Sequence, residues 1–273
     1  MEIKPEIKMV VTDLDGTLLD GNGKITPDSI EVIKLIKSSD LHFGIASGRS
    51  IKVIERMAEE YKISEYIDFI IGTNGVELSE EGILEYAEYN YLEREIILEI
   101  YNRFCEYDAT FIVHDKDVII TNKENKYTEM EKYMNNYRQE VRADFKDAII
   151  KNHPRLMIVG EPDKLREIEL EMEKEDENKY HFFKSYIYFL EVVTKNISKG
   201  SMLLKYCAHK GIDPLKVMAL GDNNNDLEMI KNTGYGIAMG NATEDLKKSA
   251  RHITGTNNEG GFAQAVRHYI LGN

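Results

Sequence analysis

The sequence predicts an α/β fold, with a parallel-sheet core interrupted by an inserted α+β unit. Three observations predict it. Short apolar runs end in clusters of Asp, Ser, Asn or Gly and are followed by helical patterns, the rhythm of strand–helix–strand units. That rhythm runs from Met9 to Gly75 and resumes at Ser198. Between them, long charged helical patterns alternate with paired strand patterns over roughly 110 residues, enough for a small domain. The expected boundaries are therefore 1–81 and 192–273 for the discontinuous core and 82–191 for the insert.

Met9-Val10-Val11-Thr12 reads as a buried strand that stops at Asp13 and Asp15, where Gly16 lets the chain turn. Thr26 and Pro27 supply an N-cap and first helical position, with Ile30, Ile33, Leu35 and Ile36 as the inward stripe. A strand over His42–Ala46 runs into Ser47-Gly48-Arg49, a helix over Ile51–Tyr61 comes next, and Phe69–Ile71 closes at Thr73-Asn74-Gly75. In the insert, Leu92–Tyr107 and Pro162–Lys179 read as helices, the latter with Leu165, Ile168 and Met172 inward. Thr110–Val113 with Val118–Thr121 reads as a hairpin, and Arg155–Val159, His181–Phe183 and Tyr188–Val193 as further strands. Eleven of the sixteen tyrosines fall between Gly82 and Leu190, which reads as ordinary sheet packing, with a substrate-facing aromatic surface as the alternative. The core resumes with a helix from Ser198 to His209, a strand over Val217–Leu220, and a helix over Leu227–Lys231. Strands over Tyr235–Met239 and His252–Thr254, a helix from Asp245 between them, and a last helix from Gly261 to Leu271 complete the chain.

Composition narrows the function. The 273 residues are 42% hydrophobic and 30% charged, ordinary for a globular protein. A net charge of -13 without a basic run argues against nucleic acid as partner. No apolar run approaches the ~20 residues of a membrane span. The charged N-terminus lacks a signal-peptide core, so a cytoplasmic location is expected. Cys105 and Cys207 are isolated and the seven histidines scattered, so any metal should be a hard one held by carboxylates. The Gly234-x-Gly236 pair is too short for a dinucleotide fingerprint and reads as structural. His114, His181 and Tyr188 likewise read as structural.

Asp13 and Asp15 alone admit a polar turn, a calcium loop or a catalytic pair. The calcium loop fails, because Leu18 and Lys24 occupy the places that need Gly and Glu. Ser47 alone could cap a helix, Asp222–Asp226 could be a capped helix start, and Lys199 could be a surface lysine. Together they stand at one edge of a parallel sheet, where ligands bind. The mixture suits a phosphate monoester: carboxylates of Asp13 and Asp222 for magnesium, with hydroxyl, amide and ammonium groups for the phosphate oxygens.

D-L-D-G-T-L at 13–18, S-G-R at 47–49, S-K-G at 198–200 and G-D-N-N-N-D-L at 221–227 resemble, in order, the four motifs of the haloacid dehalogenase superfamily. The insert position, T-N-G at 73–75 and A-M-G-N-A at 238–242 resemble its Cof-type branch, subclass IIB. The resemblance implies a Rossmann-like core with a type IIB cap, and a magnesium-dependent phosphatase acting on small phosphorylated metabolites, such as sugar phosphates or phosphorylated cofactors. It implies Asp13 as nucleophile, Asp15 as general acid and base, and Ser47, Gly48, Lys199 and Asn225 as phosphate-holding groups. It implies Asp13, the Asp15 carbonyl and Asp222 as magnesium ligands, with Asp226 in the metal set or orienting Lys199, and Thr17 as a supporting part. The cap would exclude water and choose the leaving group. The competing expectations are a phosphomutase and a non-catalytic phosphate sensor; retention of both Asp13 and Asp15 argues against the sensor. A monomer or homodimer is expected, and no motif names the substrate.

Overall fold

The computed structural model describes residues 6–80, 83–85, 91–174 and 179–271. The start of the charged N-terminus, the Glu81-Gly82 step and residues 175–178 of the expected 162–179 helix lie outside them. The chain divides into two compact units, Met1–Tyr86 with Ser198–Asn273, and Ala87–Ile197.

The first unit opens with β1 (Met9–Thr12), α1 (Pro27–Ser38), β2 (His42–Ala46), α2 (Ile51–Glu60), β3 (Phe69–Gly72), β4 (Glu77–Glu80) and β5 (Ile83–Glu85). The second holds α3 (Arg94–Phe104), β6 (Ala109–Asp115), β7 (Val118–Thr121), α4 (Lys126–Asn135), β8 (Arg138–Val141), α5 (Phe145–Ala148), β9 (Leu156–Gly160), α6 (Pro162–Met172), β10 (Tyr180–Tyr186) and β11 (Phe189–Thr194). The first unit then resumes with α7 (Lys199–Lys210), β12 (Val217–Gly221), α8 (Leu227–Lys231), β13 (Tyr235–Ala238), α9 (Glu244–Ser249), β14 (His252–Ile253) and α10 (Gly261–Val266).

The first unit is built on one sheet in the order β14-β13-β12-β1-β2-β3-β4-β5. From β14 to β3 every pairing is parallel; β4 and β5 then add antiparallel at the edge. All residues of β1, β3 and β12 are buried, which is why they read as unbroken apolar runs. The chain proceeds from β1 outward through β2 and β3, then returns to place β12 on the other side of β1. Strand order therefore reverses between β1 and β12, and ligands bind at the carboxyl ends of strands at such a switch point. The buried stripe of α1 is Ser29, Val32, Ile33 and Ile36, with Ile30 and Leu35 only half-buried, one helical step from the expected set.

The expected boundaries at 81/82 and 191/192 differ from the division of the two units. The β4–β5 hairpin extends the first sheet, and β11 continues to Thr194 before the chain leaves the second.

Among the described residues the second unit has a six-stranded sheet in the order β10-β11-β9-β6-β7-β8, antiparallel except for β7 with β8. Along β6, Phe111 and Val113 point into a core with Ile158, Leu165 and Ile168, while Ile112 packs with Met157, Val159 and Phe189 on the opposite face. The helix α6 buries Leu165, Ile168 and Met172, the expected stripe. The elements α4 and β8 have no counterpart in the expectations from sequence. The buried residues of α4 are Tyr127, Thr128 and Glu131, so its inner face carries no apolar period, and β8 (R-Q-E-V) is a mostly exposed edge.

Glu131 belongs to a buried polar network. Arg155 donates to Glu191 Oε2 at 2.9 Å and to Glu131 Oε1 at 3.3 Å, and His114 Nε2 lies 2.9 Å from Glu131 Oε1. Arg155 Nε also donates to His114 Nδ1 at 3.3 Å, and the Tyr137 ring meets the imidazole edge-on. His153 Nδ1 lies 3.0 Å from the His114 carbonyl. Burial, and then the neighbouring Arg155, hold the His114 pKa below its ordinary value; burial does the same to His153.

A buried neutral histidine makes stability depend on pH. The unfolded imidazole takes its proton near pH 6.5 while the folded one resists it, so the unfolded state binds more protons below that pH. Stability falls as pH falls through this window. In urea unfolding between pH 7.5 and 5.5, His114→Gln should show a shallower loss than the unsubstituted protein, by at most about 1.4 kcal/mol per pH unit. Parallel slopes would refute the buried neutral state.

Candidate active site

Four loops at the carboxyl edge of the first sheet bring the candidate residues together. The first leaves β1. Asp13 donates its N–H to the Leu220 carbonyl at 2.9 Å, which ties the end of β1 to β12. The chain then makes one wide turn over Leu14–Leu18, closed by the Leu19 N–H on the Leu14 carbonyl at 2.9 Å. Gly16 adopts φ +80° there, and a Cβ on it would stand 2.4 Å from Asp222 Oδ2. Both the left-handed backbone and the approach of Asp222 require glycine. Thr17 Oγ1 donates to Asp222 Oδ1 at 3.3 Å, and the Asn241 amide donates to the Gly16 carbonyl at 2.8 Å.

Asp13 and Lys199 are buried together. Lys199 Nζ donates to Asp13 Oδ1 at 2.5 Å and to Asp226 Oδ1 at 2.7 Å. Lys199 stands at the first position of α7, whose N-cap Ser198 exchanges hydrogen bonds with Ser201 and donates its hydroxyl to Glu228. Asp226 Oδ2 accepts the N–H groups of Asp222 and Asn223 at 3.0 and 3.1 Å. Both oxygens of Asp226 thus hold the lysine and the turn after β12.

Carboxylate oxygens of Asp13, Asp222 and Asp226 lie within 4.8 Å of one another. Three carboxylates face one ammonium. Burial works against the Lys199 charge, but Asp13 and Asp226 outweigh it and hold the ammonium protonated. Burial, with repulsion from Asp226 and Asp222, pushes Asp13 well above the usual carboxylate range despite Lys199. Burial and then Asp226 push Asp222 up to about 6. The surplus of negative charge and the all-oxygen donor set fit a hard divalent cation.

Asp15 lies apart from that cluster. Its side chain is 55% exposed and accepts two hydrogen bonds from Arg49, from Nε at 2.9 Å and Nη2 at 2.6 Å. Arg49 stands in the S-G-R motif, but its residue type alone assigns it no role there. Ser47 is buried, and its hydroxyl accepts the Arg49 N–H at 3.1 Å.

The fourth loop is Thr73-Asn74-Gly75. Its backbone is left-handed throughout, with φ of 48°, 54° and 104°. The Thr73 N–H donates to the Arg49 carbonyl and the Asn74 N–H to the Ser47 carbonyl. Asn225 Nδ2 donates to Asn74 Oδ1 at 3.0 Å. A Cβ on Gly75 would stand 2.2 Å from the Ser198 carbonyl, so the loop touches the start of α7 directly. The T-N-G stretch reads from sequence as the Asn-Gly turn closing a third buried strand and as part of the family resemblance, and neither names it as a site element.

Removing the ammonium leaves buried carboxylates facing each other. Lys199→Met should therefore cost about 3–5 kcal/mol in urea unfolding at neutral pH, and unchanged stability would show that the pair is not buried as described.

Comparison with known proteins identifies the family of the chain. The family profile of haloacid dehalogenase-like hydrolases matches residues 10–266. A protein of Streptococcus pyogenes serotype M6 whose name describes a phosphatase is 30% identical over 277 residues, covering 97% of this chain and 99% of that one. The 5-amino-6-(5-phospho-D-ribitylamino)uracil phosphatase YcsE of Bacillus subtilis is 29% identical over 269 residues, covering 97% of each chain. A crystal structure of a haloacid dehalogenase-like hydrolase from Bacteroides thetaiotaomicron superposes with a TM-score of 0.85 at 33% identity, covering 96% of this chain and 99% of that one. Among the described residues no helix is long and apolar enough to cross a membrane.

Proposed function

We propose that this chain, which belongs to the haloacid dehalogenase-like hydrolase family in its Cof-type branch and is a phosphatase, hydrolyses small phosphate monoesters through a phosphoryl group carried on Asp13, with magnesium as cofactor. The observation that carries the reading is the buried Asp13–Lys199–Asp226 chain beside Asp222.

In the first step an Asp13 carboxylate oxygen bonds to phosphorus, the ester P–O bond breaks, and Asp15 gives its proton to the departing oxygen. In the second, water bonds to phosphorus, Asp15 takes its proton, and the P–O bond to Asp13 breaks to release phosphate. Lys199, Ser47 and Asn225 hold the non-bridging oxygens. Asp13, Asp222 and the Asp15 carbonyl would hold magnesium, which when bound offsets the charge of phosphate beside carboxylates. Asp226 keeps Lys199 in place. The second unit is read as the cap that selects the leaving group, and a sugar phosphate or phosphorylated cofactor is the proposed substrate class.

Phosphate release from an aryl phosphate should fall at least about 10³-fold in Asp13→Asn and vanish in excess chelator, returning with magnesium. Full activity in either case, or transfer between hydroxyls without phosphate release, would overturn the reading.

The Arg49 fork fixes the direction of Asp15, the group that must reach the departing oxygen. Acid assistance matters most for poor leaving groups. Arg49→Ala should therefore lose more turnover on alkyl phosphates than on nitrophenyl phosphates in parallel steady-state assays; equal losses would remove Arg49 from this role.

A further inference from the structure

We propose that Asn74 is a direct ligand of the substrate's phosphoryl group, through an amide N–H₂ that the protein itself leaves without a partner. The inference deepens the phosphatase reading above and rests on it.

Asn74 is 4% exposed. Its side-chain oxygen accepts from Asn225, but its Nδ2 is buried and meets no acceptor among the described residues. A buried amide donor without an acceptor costs about 1–3 kcal/mol, and such groups are rare in folded chains. The cost is removed when a bound molecule brings the acceptor.

The position of the amide says which molecule that is. Nδ2 lies 3.2 Å from where a Cβ on Gly48 would stand, so it faces the S-G-R loop after β2. The oxygen of the same amide holds Asn225, from the loop after β12. The next residue, Gly75, abuts the Ser198 carbonyl and the Lys199 N–H at the start of α7. The donor is therefore enclosed by the segments that carry Ser47, Asn225 and Lys199, the groups read as holding phosphate. An anion with several acceptor oxygens meets it there.

The backbone supports the same conclusion. Thr73 and Asn74 are consecutive non-glycine residues in the left-handed region, and Thr73 is β-branched. Such conformations cost of order 1–3 kcal/mol each and persist where the surroundings impose them, typically at ligand sites. Here the strained turn aims one amide inward.

The test is calorimetric titration of inorganic phosphate into the magnesium-loaded protein, so that binding is read without turnover. Asn74→Gly keeps a backbone that tolerates positive φ and removes only the amide. It should bind phosphate about tenfold more weakly, with thermal unfolding confirming that it folds. Asn225→Ala separates contact from bracing. In that background, a further several-fold loss on adding Asn74→Gly is expected, whereas no further loss would mean that Asn74 acts only through Asn225 and would overturn the proposal. Should Asn74→Gly fail to fold, Asn74→Asp replaces it. Aspartate tolerates the left-handed backbone and keeps an acceptor for Asn225, but sets a negative charge against the anion. It should weaken phosphate binding by well over tenfold, and unchanged affinity would overturn direct contact. If the unsubstituted protein binds no phosphate, the phosphatase reading falls together with this one; if it binds and the Asn74 variants match it, only this one falls.

Discussion

The buried Lys199 ammonium is the constraint on which the first unit depends. A lysine this deep is stable only with carboxylates around it, and Asp13 and Asp226 supply them at 2.5 and 2.7 Å. Those partners come from the ends of β1 and of β12, strands far apart in sequence and adjacent in the sheet. The pairing of β1 with β12, the glycine turn at Gly16 and the capped start of α7 each serve to hold that ion cluster. The cluster still carries an excess of negative charge, and its oxygen donors fit a hard divalent cation.

Legibility of this arrangement in the sequence tracks burial. The strands β1, β2, β3 and β12 lie almost wholly inside, so they appear as unbroken apolar runs, each ending in a short polar cluster. Asp13, Ser47, Lys199, Asp222 and Asn225 can be named because each stands just after such a run or at a capped helix start. Arg49 and Asn74 lie in the same clusters but declare no chemistry by type alone. Arg49 becomes informative through its fork on Asp15, and Asn74 through a positive φ and an amide without a partner. Neither a fork nor an orphaned donor has a sequence period.

The second unit is less legible for the opposite reason. The inner face of α4 carries Thr128 and Glu131, and one face of the sheet holds Arg155, Glu191 and His114 among its apolar residues. Hydrophobic periodicity cannot find an element whose buried side is polar. A better signal is present in the capping box of Asn125 with Thr128, a local start mark that needs no apolar stripe. Buried polar networks of this kind are worth little in net stability, yet they penalise any packing that leaves a member unpaired.

Asp13 and Asp15 show how one stretch can set two carboxylates in different surroundings. They are separated by a single residue, yet Asp13 is buried against an ammonium while Asp15 reaches solvent and a guanidinium. A group sealed from water is poorly placed to exchange protons with it, but its oxygen is held by Lys199 in a fixed direction, which suits attack on phosphorus. The turn at Gly16 creates the difference. The strand β1 ends at Thr12, and the turn that follows over Leu14–Leu18 carries the second carboxylate outside the cluster that holds the first.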